Sequence, residues 1–153
     1  MVPFRKILVS LDGSELAENA LAPALRIAEA MAARAGGQPV KLILLRVVGP
    51  VALVAADPLL YDELMRMGID EAQAYLNTVV TSLKPGQVAV EAHAAAGSAA
   101  NAIVQYAETN GVDLIVMCSH GRTGSSRWVY GSVAEKVLHH ASCATIIIRA
   151  HVG

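Results

Sequence analysis

The chain is poor in aromatic residues: one Trp, four Tyr and one Phe make up 4% of its 153 residues. A core without large rings must be filled by Ala, Val, Leu and Ile, which suits helices packed closely on a sheet. Cysteine is equally scarce. Cys118 and Cys143 are too few for a disulfide framework and form no C-x-x-C, and neither has a His at metal-ligand spacing. A reducing compartment is the plain reading. An excess of either charge is also missing. The formal net charge is −1, so no long-range field favours nucleic acid or an acidic membrane. No apolar run reaches the roughly 18 residues of a membrane span. The opening Met-Val-Pro-Phe-Arg-Lys lacks the basic, apolar and small-residue order of a secretory leader. These absences lead to the expectation of one cytoplasmic domain over residues 1–153, with no nucleic-acid and no membrane partner.

Apolar residues are abundant, at 54%, and they come in two patterns. Short continuous runs fit strands buried on both faces. They are Lys6 to Leu11, Val40 to Val48, Asp113 to Cys118 and Ala144 to Arg149, with a more loosely alternating run from Val88 to Ala95. Between them lie stripes at three- and four-residue spacing, as helices require. The first stripe is Ala17, Leu21, Ala24, Ala28, Met31 and Ala35, with Ser14 as its cap and Gly36-Gly37 at its end. Pro23 inside it is expected to kink the helix, because proline cannot donate to the Asn19 carbonyl. A second stripe runs from Leu60 to Leu83 and stops at Pro85-Gly86. A third helix opens at Gly97-Ser98 and closes at Asn110-Gly111, and a fourth spans Ser132 to Ala141. Strands alternating with helices predict a single-domain, doubly wound, five-stranded parallel α/β sheet of Rossmann-like type, helices on both faces. Such a sheet binds ligands outside the carboxyl ends of its strands, where the strand order reverses. The loops to inspect therefore begin at Asp12, after the first strand, and at Ser119, after the fourth.

The loop after the fourth strand reads Ser119-His120-Gly121-Arg122-Thr123-Gly124 and continues to Gly131-Ser132. Gly121 and Gly124 let backbone N–H groups approach an anion, and Gly131-Ser132 stands at a helix start, where the dipole favours phosphate. Ser125, Ser126, Arg122 and Arg127 add hydroxyl donors and positive charge. A structural account of the same residues stays open. Ser132-Val-Ala-Glu135 is a capping box, and Gly124 can be a turn glycine. Asp12-Gly13 is likewise a common turn pair as well as a candidate ribose contact. The standard nucleotide loops are absent, with neither G-x-x-x-x-G-K-S/T nor G-x-G-x-x-G after the first strand. The histidines His139, His140 and His151 form no metal pattern, and no positioned nucleophile makes His120 a general base.

Taken together, Ile7-Leu8-Val9-Ser10-Leu11-Asp12-Gly13-Ser14-Glu15, Ser119 to Gly124 and Gly131 to Leu138 resemble the universal stress protein family. The likeness spans essentially the whole chain, in order and spacing. Nucleotide-binding members carry G-x-x-G, nine residues, then G-S/T. Here Gly121 is the second glycine, residues 122–130 are the nine, and Gly131-Ser132 complete the motif, while Cys118 replaces the first glycine. The resemblance implies that Gly121, Gly131 and Ser132 hold phosphates and that Asp12, Val47 and Met117 border adenine and ribose. The full candidate set is Leu11, Asp12, Val47, Met117, Cys118, His120, Gly121, Arg122, Gly124, Gly131, Ser132 and Val133. The expected ligand is ATP, or else ADP or AMP, with Mg²⁺ admitted, no metal ligated by the protein alone and at most slow hydrolysis. Cys118 is small and apolar, so a modest loss of affinity is expected rather than exclusion. The expected role is a regulatory sensor or switch in a stress response.

Two other functions stay open at this point. One is a family member that binds no nucleotide and acts through protein contacts. The other is an adenine-nucleotide enzyme such as a PP-loop ATP pyrophosphatase, whose Ser-Gly-Gly-x-Asp-Ser type loop is not supplied by Ser10-Leu-Asp-Gly-Ser-Glu15. The run Ala144 to Arg149 is expected at a sheet edge, where it would pair with a second copy about a twofold axis. The resemblance implies the same homodimer.

Overall fold

The computed structural model describes residues 4–51, 57–119 and 131–149. Among these residues the chain alternates strand and helix: β1 Lys6–Leu11, α1 Leu21–Arg34, β2 Lys41–Val48, α2 Pro58–Ser82, β3 Ala89–Ala96, α3 Ala99–Asn110, β4 Leu114–Ser119, α4 Ser132–His140 and β5 Ala144–Arg149. The strands form one five-stranded sheet in the order β3-β2-β1-β4-β5, and each neighbouring pair is parallel. The sheet is the doubly wound one expected, with β1 and β4 flanking the point where strand order reverses.

Continuous apolar runs make these strands because both faces are covered. Ile7, Val9 and Leu11 turn one way, with Leu42, Leu44, Leu114 and Val116, against Ala20, Ala24 and Ala28 and against Leu76 and Val79 of α2. Leu8, Ile43, Leu45, Ile115 and Met117 turn the other way, against Ala100, Ile103 and Ala107 of α3 and Ala134 and Val137 of α4. The register puts Leu8 beside Ile43 on β2 and Ile115 on β4, so the second core runs straight across three strands. Alanine dominates the helix faces because a small side chain lets the helix lie close on the sheet. Each fully buried Leu or Ile contributes roughly 1.5–3 kcal/mol.

Several local expectations change. The segment after β1 is not one kinked helix: Ala17–Ala20 forms a 3-10 turn, and α1 begins at Leu21. Pro23 therefore falls in the first turn of α1, where an N–H has no intrahelical acceptor to lose. Ser14 does act as a cap, since its Oγ accepts from Ala17 N at 3.2 Å, but it caps the 3-10 turn. Helix α2 starts ahead of the Leu60 stripe, at Pro58, because Asp57 accepts from Leu60 N at 3.2 Å and proline is suited to the first helical position. The Ser132–Glu135 capping box does not form. Gly131 occupies the cap position with φ 84°, Ser132 is already helical, and the cap has no side-chain hydrogen bond.

The contrast between buried and exposed positions of α2 gives a stability test. Leu76→Ala should lose about 2–5 kcal/mol in a denaturant titration, since Leu76 is fully buried. Leu59→Ala, at a position 82% exposed, should stay within about 0.5 kcal/mol of the parent.

Candidate functional site

β1 delivers its last buried residue, Leu11, to the carboxyl edge of the sheet, and there the chain must turn. Asp12 makes the turn, its Oδ1 accepting from Ser14 N at 2.9 Å and from Ser14 Oγ at 2.5 Å. This is the side-chain turn that Asp supports at such positions. Gly13 has φ +87°, and a Cβ there would lie 3.0 Å from the Arg46 guanidinium carbon. Glycine is thus favoured by the backbone conformation, and a Cβ would press on the guanidinium. On the neighbouring strand β4 ends at Ser119, which is 8% exposed and whose Oγ donates to the Ile148 carbonyl at 3.4 Å. Helix α4 then opens at Gly131, also at positive φ, and its first-turn N–H groups carry the partial positive charge of a helix start.

These pieces enclose a cleft of about 610 Å³, mouth included. Its apolar wall is Leu11, Leu16, Ala17, Val47, Ala99, Ile103, Met117, Val133 and Ala134; Ser10, Asp12, Ser14 and Ser119 supply the polar atoms, and Cys118 a thiol. Of the candidate residues, the cleft brings together Leu11, Asp12, Val47, Met117, Cys118 and Val133. Gly131 and Ser132 stand one or two residues before Val133 at the start of α4. His120, Gly121, Arg122 and Gly124 lie outside the described residues, as do Ser125, Ser126 and Arg127. Among the described residues no group of three or more His, Cys, Asp or Glu could hold a metal ion.

The sequence reading missed part of this wall. Ser10, Leu16, Ala17, Ala99, Ile103 and Ala134 read only as strand or helix positions, because nothing in a linear pattern shows which ends meet, and Ser119 read as the start of the glycine loop without being counted in the site. Arg46 was missed too, although a charge inside the apolar run KLILLRVV was a visible signal. Its guanidinium lies over the Tyr75 ring, 5.0 Å from the centroid, and the Tyr75 hydroxyl donates to Glu18 Oε1 at 3.2 Å. Burial first, and then the Glu18 carboxylate, push the Tyr75 phenol from 10.0 up to about 12.

Cys118 is half-buried and packs against the core face that includes Ala17 and Ala20. Burial pushes its thiol up from the ordinary value, a backbone hydrogen bond at Ala20 partly opposes this, and the Asp12 charge makes a smaller upward contribution. It is therefore a protonated thiol at neutral pH, small and apolar.

An open α/β sheet with a cleft at its reversal point, walled by apolar side chains and a few hydroxyls, is the doubly wound architecture in which that point is the usual place for ligands. The chain belongs to the universal stress protein family, whose model matches residues 3–149. It is 32% identical over 148 residues to a universal stress protein of Methanocaldococcus jannaschii, covering 95% of this chain and 82% of that one. It superposes on universal stress protein UspA from Lactobacillus plantarum with TM-score 0.75 and 26% identity, over 97% of this chain and all of the other. Two more distant relatives share the fold. One was solved in complex with cAMP (TM-score 0.63, 21% identity, 98% of this chain and 100% of that one). The other, from Arabidopsis thaliana, was solved with AMP bound (TM-score 0.60, 20% identity, 96% and 92%).

The two cysteines test the local electrostatics. Both thiols are raised, Cys118 with a contribution from Asp12 and Cys143 with one from Asp113. Asp12→Asn removes one negative charge beside Cys118, so its pKa should fall and its alkylation by iodoacetamide at pH 8 should quicken. Cys143 should react at its parental rate in the same sample. Equal rates at Cys118 in parent and variant would refute the assigned cause.

Proposed function

We propose that this protein binds an adenine nucleotide, ATP or in its place ADP or AMP, in the cleft between the ends of β1 and β4. It then acts as a regulatory sensor or switch. The observation that carries the reading is the meeting of Asp12, Val47 and Met117 in one cleft that reaches the start of α4. In the proposed pose, Val47 and Met117 take the flat apolar base and Asp12 accepts from ribose hydroxyls. The phosphates run toward Gly131 and Ser132, where helix N–H groups and dipole favour an anion. Gly121 and Gly124 belong to the same proposal through the sequence motif, as do His120 and Arg122. The nucleotide-bound relatives support the ligand class. Asp12 is the only carboxylate on the cleft wall among the described residues, a poor Mg²⁺ site by itself. The protein is accordingly a holder of nucleotide rather than a fast hydrolase, and Mg²⁺ would enter chiefly with the phosphates.

Titration calorimetry with ATP, ADP and AMP tests the ligand. Heat is expected from at least one of them, and Gly131→Asp should abolish it by placing a carboxylate where an anion must sit. Cys118→Gly should bind as tightly as the parent or more so, because closer backbone approach is restored. Silence from the parent protein with all three nucleotides at millimolar concentration would sink the reading and leave the protein-contact role as the alternative.

The regulatory unit in this proposal is a homodimer in the cytoplasm, joined through β5. The two sheet edges differ in a way that favours this choice. On β3, Gln73 of α2 donates to the Ala92 carbonyl at 3.1 Å and accepts from Ala94 N at 3.1 Å, so a side-chain amide takes the place of a neighbouring strand. On β5 the run ATIIIR is strongly β-forming and free of proline, and it lies at the opposite edge. Light scattering at micromolar concentration should give twice the 16.0 kDa of one chain, and Ile147→Pro should return the single-chain mass. A single-chain mass for the parent would reject the dimer.

A further inference from the structure

Arg46 ends the buried part of β2 and lies beside Leu11 in the register, one residue before the Asp12 turn. Strand alternation sends Val47 to the α3 and α4 side, where it walls the cleft, and turns Arg46 to the other side, where it meets Tyr75 of α2. It is not part of the cleft wall. A Cβ built on Gly13 would be 3.0 Å from the guanidinium carbon, 3.0 Å from Nη2 and 3.1 Å from Nη1. Near-equal distances to three atoms of a planar group mean that its flat face is presented to Gly13. The Tyr75 ring also adjoins the guanidinium, its centroid 5.0 Å from the guanidinium carbon, so the cation is in reach of both the Gly13 backbone and an aromatic face. The phenol donates in turn to Glu18, which belongs to the Ala17–Ala20 3-10 turn, three residues beyond Ser14 at its start. The Asp12–Ser14 turn is therefore held from outside by a stack that ties it to β2 and α2. Lysine lacks the planar group that such a stack needs.

We infer that Arg46 is a positioning residue for the cleft, setting the Asp12 carboxylate toward the ligand through its stack on Gly13 and Tyr75. The inference rests on the adenine-nucleotide reading for its functional consequence, but the clamp itself has a readout without ligand. In the ligand-free protein the Ser14 amide is bonded to Asp12 Oδ1. Arg46→Ala should speed its hydrogen exchange about tenfold, leaving the amide of Val9 in the core unchanged. Parental exchange at Ser14 overturns the clamp, whatever the nucleotide does. With nucleotide, Arg46→Ala should weaken binding about tenfold, and Arg46→Lys should fail to restore it. In the Asp12→Ala background the same Arg46→Ala change should cost nothing further, because a residue that acts through Asp12 has nothing left to position. An undiminished penalty in that background, or rescue by lysine, overturns the inference. A parent protein that binds no nucleotide while Ser14 exchange responds as stated would remove the nucleotide reading and leave the clamp standing.

Discussion

The sheet is covered on both sides, and β1 bears the full consequence. Ile7, Leu8 and Val9 are each completely buried, pointing alternately to two cores. A strand in that position carries only apolar side chains through its middle, and its two polar residues, Lys6 and Ser10, stand toward its ends. Its hydrogen-bonding neighbours on either side must be strands, and the crossovers back to them must be helices that cover the sheet. Polar chemistry is thereby confined to the strand ends. Successive crossovers run from β1 out to β3 on one flank and through β4 to β5 on the other. The carboxyl ends of β1 and β4 are thus the place where loops diverge and leave a cleft.

The turn at Asp12 shows how this confinement becomes a site. Within three residues the chain passes from a fully covered strand to an exposed carboxylate. The carboxylate is satisfied locally by Ser14, whose hydroxyl also caps the following 3-10 turn. Gly13 lets the backbone reverse and lets Arg46 lie flat against it. The opposite wall is built from residues whose first duty is packing: Val47 and Met117 are strand ends, and Ile103 is 1% exposed in the second core. A mutation in the cleft would therefore disturb packing as well as binding, and the two effects need separate measurements.

Strand edges raise the complementary question of how an open sheet avoids random association. At β3 the answer is a single glutamine, reinforced on the strand by the pair Lys41–Glu91 at 2.7 Å. Charged groups and side-chain capping are familiar ways of blunting an edge. β5, the other edge, has only Arg149 as a charged residue among its own six.

Much of the architecture was legible in the residues. Lys6–Leu11 and Ala144–Arg149 have the bounds read from their apolar runs, and the other strands shift by a single residue, because burial on both faces leaves an unmistakable continuous pattern. The helix starts were less legible. Gly131 rather than Ser132 caps α4, and Pro23 marks a first turn rather than a kink, since cap geometry depends on how the chain arrives from the preceding loop. Asp12 was legible from its place at the end of the first strand, and Val47 and Met117 came through the resemblance to a family, whereas Ser10, Ala99 and Arg46 were not found as site residues. By itself the sequence determined the alternation of buried strands and covering helices, since periodicity is a local record of burial. Only the tertiary structure decided which strand ends adjoin. It brought Leu11, Val47 and Met117 to one cleft and laid Arg46 between Gly13 and Tyr75, because such meetings join residues up to about a hundred positions apart through the register of parallel strands.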